Sequence, residues 1–212
     1  KNKKSYKKKI IKPNQVTDVE NFAKKILQLK GKSFIVDDKS CSIFFEELIK
    51  SKFKIIQRED PVYKFKSIKN NTEIKNMINT HIIDGVALTK FLYWIKKINK
   101  KKINEVQAQN KLESFRKLNK NYLYPSFDTI AGTGKNGAIV HYRANNENCR
   151  VIKKNDIFLC DSGGQYKYGT TDVTRTICFS KPKLYIKNIF TKILKGHIAV
   201  ALTNLRRDNV GK

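Results

Sequence analysis

The sequence predicts an α+β chain in two parts, on three observations. Apolar residues recur at helical spacing over 19–27 and again over about 72–97. After Tyr124-Pro125 the texture turns to Gly, Thr and β-branched residues, which suit strands. The run from Phe158 to Thr176 then reads as two strands joined by a glycine-containing turn.

Thr17 with Glu20 forms a capping box, and Val19, Phe22, Ala23, Ile26 and Leu27 continue the helix until Gly31 stops it. A strand over 33–36, a helix over 42–50 and a strand over 53–57 give an alternating α/β pattern ending near Asp60-Pro61. Residues 1–66 are therefore assigned to the end of one domain, and 67–212 to a second. The long helix over 72–97 opens the second, with Ile74, Met77, Ile78, Ile82, Val86, Phe91, Leu92 and Ile95 as its expected buried stripe. A helix over 104–118 follows. Strands are expected near 127–131, 138–142, 157–161 and 172–179, and Ser180 with Pro182 opens a last helix reaching 205. There is no internal repeat or low-complexity linker.

Composition narrows the classes of function. The 212 residues carry a formal charge of +27, yet only seven of the 45 basic residues are arginine. Base-edge and bidentate phosphate recognition favours the arginine fork, so the charge reads as solvated lysine surface and nucleic acid is not the expected partner. Cys41, Cys149, Cys160 and Cys178 lack zinc-type spacing and the density of a disulfide scaffold, which fits structural thiols in a reducing compartment. No apolar run approaches the ~18 residues of a membrane span, and the basic opening Lys1 to Lys12 has no apolar signal core behind it. A cytoplasmic location is expected.

Two constellations carry chemistry. Asp161 and Asp172 close one expected strand and open the next. Side chains alternate along a strand, so Ile157, Leu159 and Asp161 share a face, as do Asp172, Thr174 and Thr176. Two carboxylates in one cleft suit hard divalent cations; the alternative is that Asp161 caps a turn beside a surface Asp172. The second constellation is the glycine-rich run from Thr129 to Arg143, which would deliver His141 from a strand to a substrate carbonyl or oxyanion; the alternative is a partly buried histidine satisfied by backbone. Gly132, Gly134 and Gly137 make no dinucleotide fingerprint, because no helix signal opens after them. His81 and His197 lie in amphipathic helices and read as packing or surface residues, and Trp94 as core.

The runs Ile68-Lys-Asn-Asn-Thr-Glu-Ile, His81-Ile-Ile-Asp-Gly-Val-Ala-Leu, Pro125-Ser-Phe-Asp-Thr-Ile-Ala-Gly, Asn136-Gly-Ala-Ile-Val-His-Tyr-Arg, Asp161-Ser-Gly-Gly-Gln-Tyr and Gly169-Thr-Thr-Asp-Val-Thr-Arg-Thr resemble the aminopeptidase P (Xaa-Pro aminopeptidase) family over about residues 55–205. The resemblance implies part of a pita-bread catalytic domain preceded by the end of a creatinase-like N-terminal domain. It implies a metalloaminopeptidase that removes the residue preceding proline from peptides with proline second, using two divalent ions, manganese by family habit. Asp161 matches a ligand of one metal, Asp172 the aspartate bridging both, and His141 the catalytic histidine that contacts substrate. The family's other ligands, one histidine and two glutamates, and its second catalytic histidine would all lie after Lys212. The expectation is thus a truncated or split copy, inactive alone, completed by a complementing C-terminal fragment, with a homodimer as a further expected assembly. The alternative is a non-catalytic pita-bread pseudoenzyme that binds nucleic acid or protein.

Overall fold

The computed structural model describes residues 15–98 and 102–204, which leaves the basic opening at 1–12 and Leu205, the end of the expected final helix, outside the description. The chain divides between Asn70 and Asn71 into two units.

In the first unit a short 3-10 turn at Val19–Asn21 leads into α1 (Phe22–Gln28). Neither Asp18 nor Asn21 caps with its side chain, so the Thr17–Glu20 capping box is not what starts this helix. Gly31, at φ 141°, turns the chain into β1 (Ser33–Val36). Ser42 caps α2 (Ile43–Lys50), accepting from the Phe45 amide at 3.4 Å, and β2 (Lys54–Gln57) pairs in parallel with β1. A parallel pair needs a crossover, which α2 supplies. Ile26, Val36, Ile49 and Phe53 form the core beneath it. An element absent from the sequence reading follows: α3 (Pro61–Ser67), with Pro61 in its first turn and Asp60 accepting from the Val62 amide at 2.9 Å. Asp60-Pro61 is a helix start here, not the end of the pattern.

The second unit opens with α4 (Asn71–Ile98) and α5 (Glu105–Arg116), the latter begun by a reciprocal capping box between Asn104 and Gln107. Six strands follow: β3 (Tyr122–Pro125), β4 (Ile130–Thr133), β5 (Ile157–Ser162), β6 (Gly164–Tyr166), β7 (Gly169–Thr170) and β8 (Val173–Cys178), before α6 (Leu184–Ala201). They build two antiparallel sheets, ordered β3-β6-β7 and β4-β5-β8. The core gathers Leu88, Phe91 and Ile95 of α4, Ala108 and Leu112 of α5, Ala131 of β4, and Phe158 and Cys160 of β5. Among the described residues no helix is long and apolar enough to cross a membrane.

Two expectations are corrected here. Ile74, Ile78, Ile82 and Val86 are exposed, while Thr80, Asp84, Ala87, Leu88, Phe91 and Ile95 line the buried side of α4. The helix is apolar on more than one side, and a buried acid, Asp84, decides which side packs. Residues 138–142 form no strand: a 3-10 turn at Gly134–Ala138 runs into a turn in which Ile139 and Val140 are exposed.

Candidate metal centre

The β5–β8 register sets Leu159 against Thr176, Asp161 against Thr174 and Ser162 against Val173. Paired residues of an antiparallel ladder share a face, and Asp172 stands two residues from Thr174. Asp172 lies just before β8, outside the ladder; alternation carried one residue past the strand would make it a diagonal neighbour of Asp161 on the same face. That face is open. On β5 exposure alternates strictly, with Phe158, Cys160 and Ser162 buried and Ile157, Leu159 and Asp161 half-buried, while Asp172, Thr174 and Thr176 are exposed. The Thr174 hydroxyl donates to Asp161 Oδ1 at 2.8 Å, which holds the carboxylate upright on that face.

The connection between the two strands is more than a turn. Its residues form the β6–β7 hairpin, which pairs with β3 in the second sheet. Gly163 makes this departure feasible: a Cβ there would lie 1.9 Å from the Thr171 carbonyl oxygen and 2.2 Å from Ser126 Oγ. The backbones of the two aspartate-bearing segments thus approach more closely than any side chain would permit.

His141 is placed differently from the expectation. It is not on a strand; it sits exposed in a turn with φ 54°, a left-handed conformation that few non-glycine residues adopt. The turn is anchored by its neighbour. Tyr142 donates its hydroxyl to Glu105 Oε2 at 2.7 Å, and burial followed by that carboxylate pushes the phenol up to about 12, so it stays a donor. Glu105, fully buried at the start of α5, also accepts from the Thr133 amide at 2.6 Å, Asn136 Nδ2 at 3.0 Å and the Arg150 amide at 2.8 Å. Beside this turn an open groove of about 350 Å³ is lined by Gln109, Glu113, Asp128 and Arg143, the last two paired at 3.0 Å. Among the described residues no hydrogen bond or ion pair joins His141 to Asp161 or Asp172.

Sequence reasoning missed a buried ion pair on the other side of the sheet. Arg116 grips Asp84 through Nε–Oδ1 at 2.7 Å and Nη2–Oδ2 at 3.1 Å, both residues fully buried. Arg116 Nη2 reaches Ser162 Oγ at 3.0 Å, and the Tyr166 hydroxyl donates to Asp84 Oδ1 at 2.7 Å. Burial alone would raise the Asp84 carboxyl, but Arg116, Tyr166 and Thr171 outweigh it and hold the group below its ordinary value. Asp84 lies in the His81 to Leu88 run, yet its partners are 32 and 82 positions away, beyond the reach of local pattern. Cys160 is buried beside them, its thiol pushed up by burial to about 12, as befits a structural thiol.

The donor chemistry fits divalent cations: two carboxylates and a hydroxyl are hard oxygen ligands on an accessible face. Their number falls short of a closed site, since among the described residues no group of three or more His, Cys, Asp or Glu gathers to hold an ion.

Residues 75–211 match the profile of Metallopeptidase family M24. The chain is 45% identical over 150 residues to the "Probable Xaa-Pro aminopeptidase P" of Paracoccidioides brasiliensis, covering 69% of this chain and 24% of that protein. To the Xaa-Pro aminopeptidase ApepP of Drosophila melanogaster it is 43% identical over 154 residues, covering 72% and 25%. Among solved structures, the X-prolyl aminopeptidase from Caenorhabditis elegans, described as a cytosolic enzyme with a di-nuclear active site, superposes with a TM-score of 0.66 at 35% identity, over 72% of this chain and 25% of that one. The prolidase from Pyrococcus horikoshii gives 0.71 at 25% identity, over 87% and 51%. The chain spans about a quarter of the length of the curated relatives it matches.

Proposed function

This chain belongs to metallopeptidase family M24, with the mixed α+β architecture of a partial pita-bread fold, and we propose that it works as part of a manganese-dependent, cytoplasmic Xaa-Pro aminopeptidase. Its substrates are then peptides with proline second, cleaved after their first residue. What supports the reading is the placement of Asp161 on the open face of β5, paired with Thr174 of β8, with Asp172 just before β8 and both inside the stretch that matches the family.

In this reading Asp161 and Asp172 would hold the metal ions. Divalent ions held there would supply Lewis-acid polarisation of the scissile carbonyl and a nucleophile available near neutral pH. The chain's own residues do the rest of the work. Thr174, paired with Asp161 in the β5–β8 ladder, keeps the Asp161 carboxylate from turning away. His141, exposed in its Glu105-anchored turn, donates to the substrate near the scissile bond. Two carboxylates do not fix two cations, so the remaining ligands come from outside the described residues, either from a complementing segment or from a partner chain. Residues 1–66 act as the end of a creatinase-like N-terminal domain.

The test is hydrolysis of an Arg-Pro-Pro type peptide with manganese, by this chain alone and by the chain combined with the C-terminal part of a relative. The reading expects no turnover alone, turnover in combination, and loss of that turnover on Asp161→Ala or Asp172→Ala. Turnover that survives both substitutions removes it.

A further inference from the structure

A pair of glycines joins the turn of His141 to the strand of Asp161. Gly132 of β4 stands opposite Leu159 of β5, and paired residues share a face, so a side chain at 132 would project on the side that carries Leu159 and Asp161. The turn occupies that place instead. A Cβ on Gly132 would lie 2.8 Å from Gly137 Cα and 2.9 Å from its nitrogen, and one on Gly137 would lie 3.7 Å from Leu159 Cβ. The 3-10 turn at Gly134–Ala138, which leads on to His141, is thus laid directly on the face that bears Asp161.

One buried carboxylate grips this segment from both ends. Ahead of His141, Glu105 Oε1 accepts from the Thr133 amide at 2.6 Å and Oε2 from Asn136 Nδ2 at 3.0 Å. Behind it, Oε2 accepts from the Tyr142 hydroxyl at 2.7 Å and from the Arg150 amide at 2.8 Å. Asn136 Nδ2 also donates to the Tyr142 hydroxyl at 2.8 Å, which closes the loop on itself. Between these ties run two tight turns, with the Ile139 amide on the Asn136 carbonyl at 3.2 Å and the Tyr142 amide on the Ile139 carbonyl at 3.3 Å. His141 is the third residue of the second, where a positive φ ordinarily falls to glycine or asparagine. Its side chain is exposed, so the left-handed backbone is sustained by the ties around it and not by burial of the ring.

We propose that Glu105 is a positioning residue for His141: tied to the chain on both sides of it, the carboxylate holds the left-handed turn that brings His141 to the face of the sheet bearing Asp161. Glu105 itself contributes no atom to that face. An acid is needed because its two oxygens only accept, and four donors converge on them; a glutamine would turn an NH2 toward some of those donors. The role rests on the proposed reading of His141 and Asp161 for its catalytic meaning, while its geometry is testable without metal.

The probe is the full 212-residue chain, metal-free, studied by NMR. A positive φ brings a residue's own amide proton close to its Hα, so His141 should give a strong intraresidue NOE in the unsubstituted chain. Tyr142→Phe keeps the ring and removes the tie beside His141. That NOE should then be lost, and exchange at the Tyr142 amide should quicken about tenfold or more, the size set by one hydrogen bond to a charged group. NOEs between Gly137 and Leu159, and exchange at the Ala108 and Phe158 amides, should stay as they were. Glu105→Gln should loosen the turn at both ends and lose the Gly137–Leu159 NOEs as well; if it does not fold, Tyr142→Phe decides. A His141 NOE retained in folded Tyr142→Phe overturns the proposal. So does exchange that quickens evenly over β4 and β5, the mark of a general loss of stability. Manganese added to the unsubstituted chain separates the positioning role from the metal reading. Paramagnetic broadening at both Asp161 and His141, weakened at His141 in Tyr142→Phe, supports both. Broadening at Asp161 alone overturns the placement of His141 on that face. No broadening at either, with the His141 NOE lost in Tyr142→Phe, removes the metal reading and leaves the positioning role standing.

Discussion

The two faces of β5 carry acids of opposite kinds. Behind the strand, Asp84 is fully buried and gripped by the Arg116 guanidinium and the Tyr166 hydroxyl. In front, Asp161 is half-buried, with one hydroxyl on Oδ1, and Asp172 is exposed. One strand thus separates an acid that organises the protein from acids left available to bind something else. The contrast teaches how one strand sorts its acids: the one behind is consumed by the fold, and those in front stay open to solvent.

Single substitutions should break this contrast unequally. Asp84→Ala leaves a buried guanidinium without its counter-charge, and should lower unfolding free energy by about 3–5 kcal/mol in urea titration. The paired Leu variant, Asp84→Leu with Arg116→Leu, should instead hold or gain stability, because Arg116 Nη1 is buried without a partner even in the native pair. Glu105→Gln removes the charge on which four donors converge and should cost about 1.5–3 kcal/mol, with amide shifts concentrated at 133–142. Gly163→Ala drives a methyl into the Thr171 carbonyl and should cost about 1–3 kcal/mol while separating β5 from β8. On the front face, Asp161→Ala should leave stability within about 0.5 kcal/mol and remove divalent-ion uptake. A cost there as large as that at Asp84 would erase the distinction between the two faces.

The pH dependence sharpens the same point with a smaller effect. The folded Asp84 carboxyl lies below its ordinary value of 3.8. Its contribution is therefore full above that value and is lost as pH falls through the lower folded one, where the unfolded chain already binds the proton. Melting temperature followed from pH 5 to pH 2 should fall more steeply in the native chain than in the paired Leu variant.

Much of the frame was legible in sequence. The strand at 33–36, the Ser42-capped helix and the two long helices follow from apolar period and capping residues. The outward side of Asp161, shared with Ile157 and Leu159, follows from alternation, and the burial pattern of β5 agrees with it, while Asp172 falls just before β8 and outside its register. What failed depended on distant partners. The β-branched run Ala138 to Tyr142 reads as a strand by propensity, yet Asn136 and Tyr142 fold it around Glu105. The stripe Ile74, Ile78, Ile82, Val86 has helical spacing, but Asp84 turns the opposite side of α4 inward because Arg116 and Tyr166 wait there. No local pattern marks an acid as buried when its partners come from another helix and another sheet.

Crystals of the chain soaked in manganese and measured at the manganese absorption edge test the central claim most directly. The account predicts an anomalous peak over the open face of β5 and β8, within coordination distance of the Asp161 and Asp172 carboxylates. A map with no peak there at saturating manganese, or with ions only elsewhere on the surface, would contradict it.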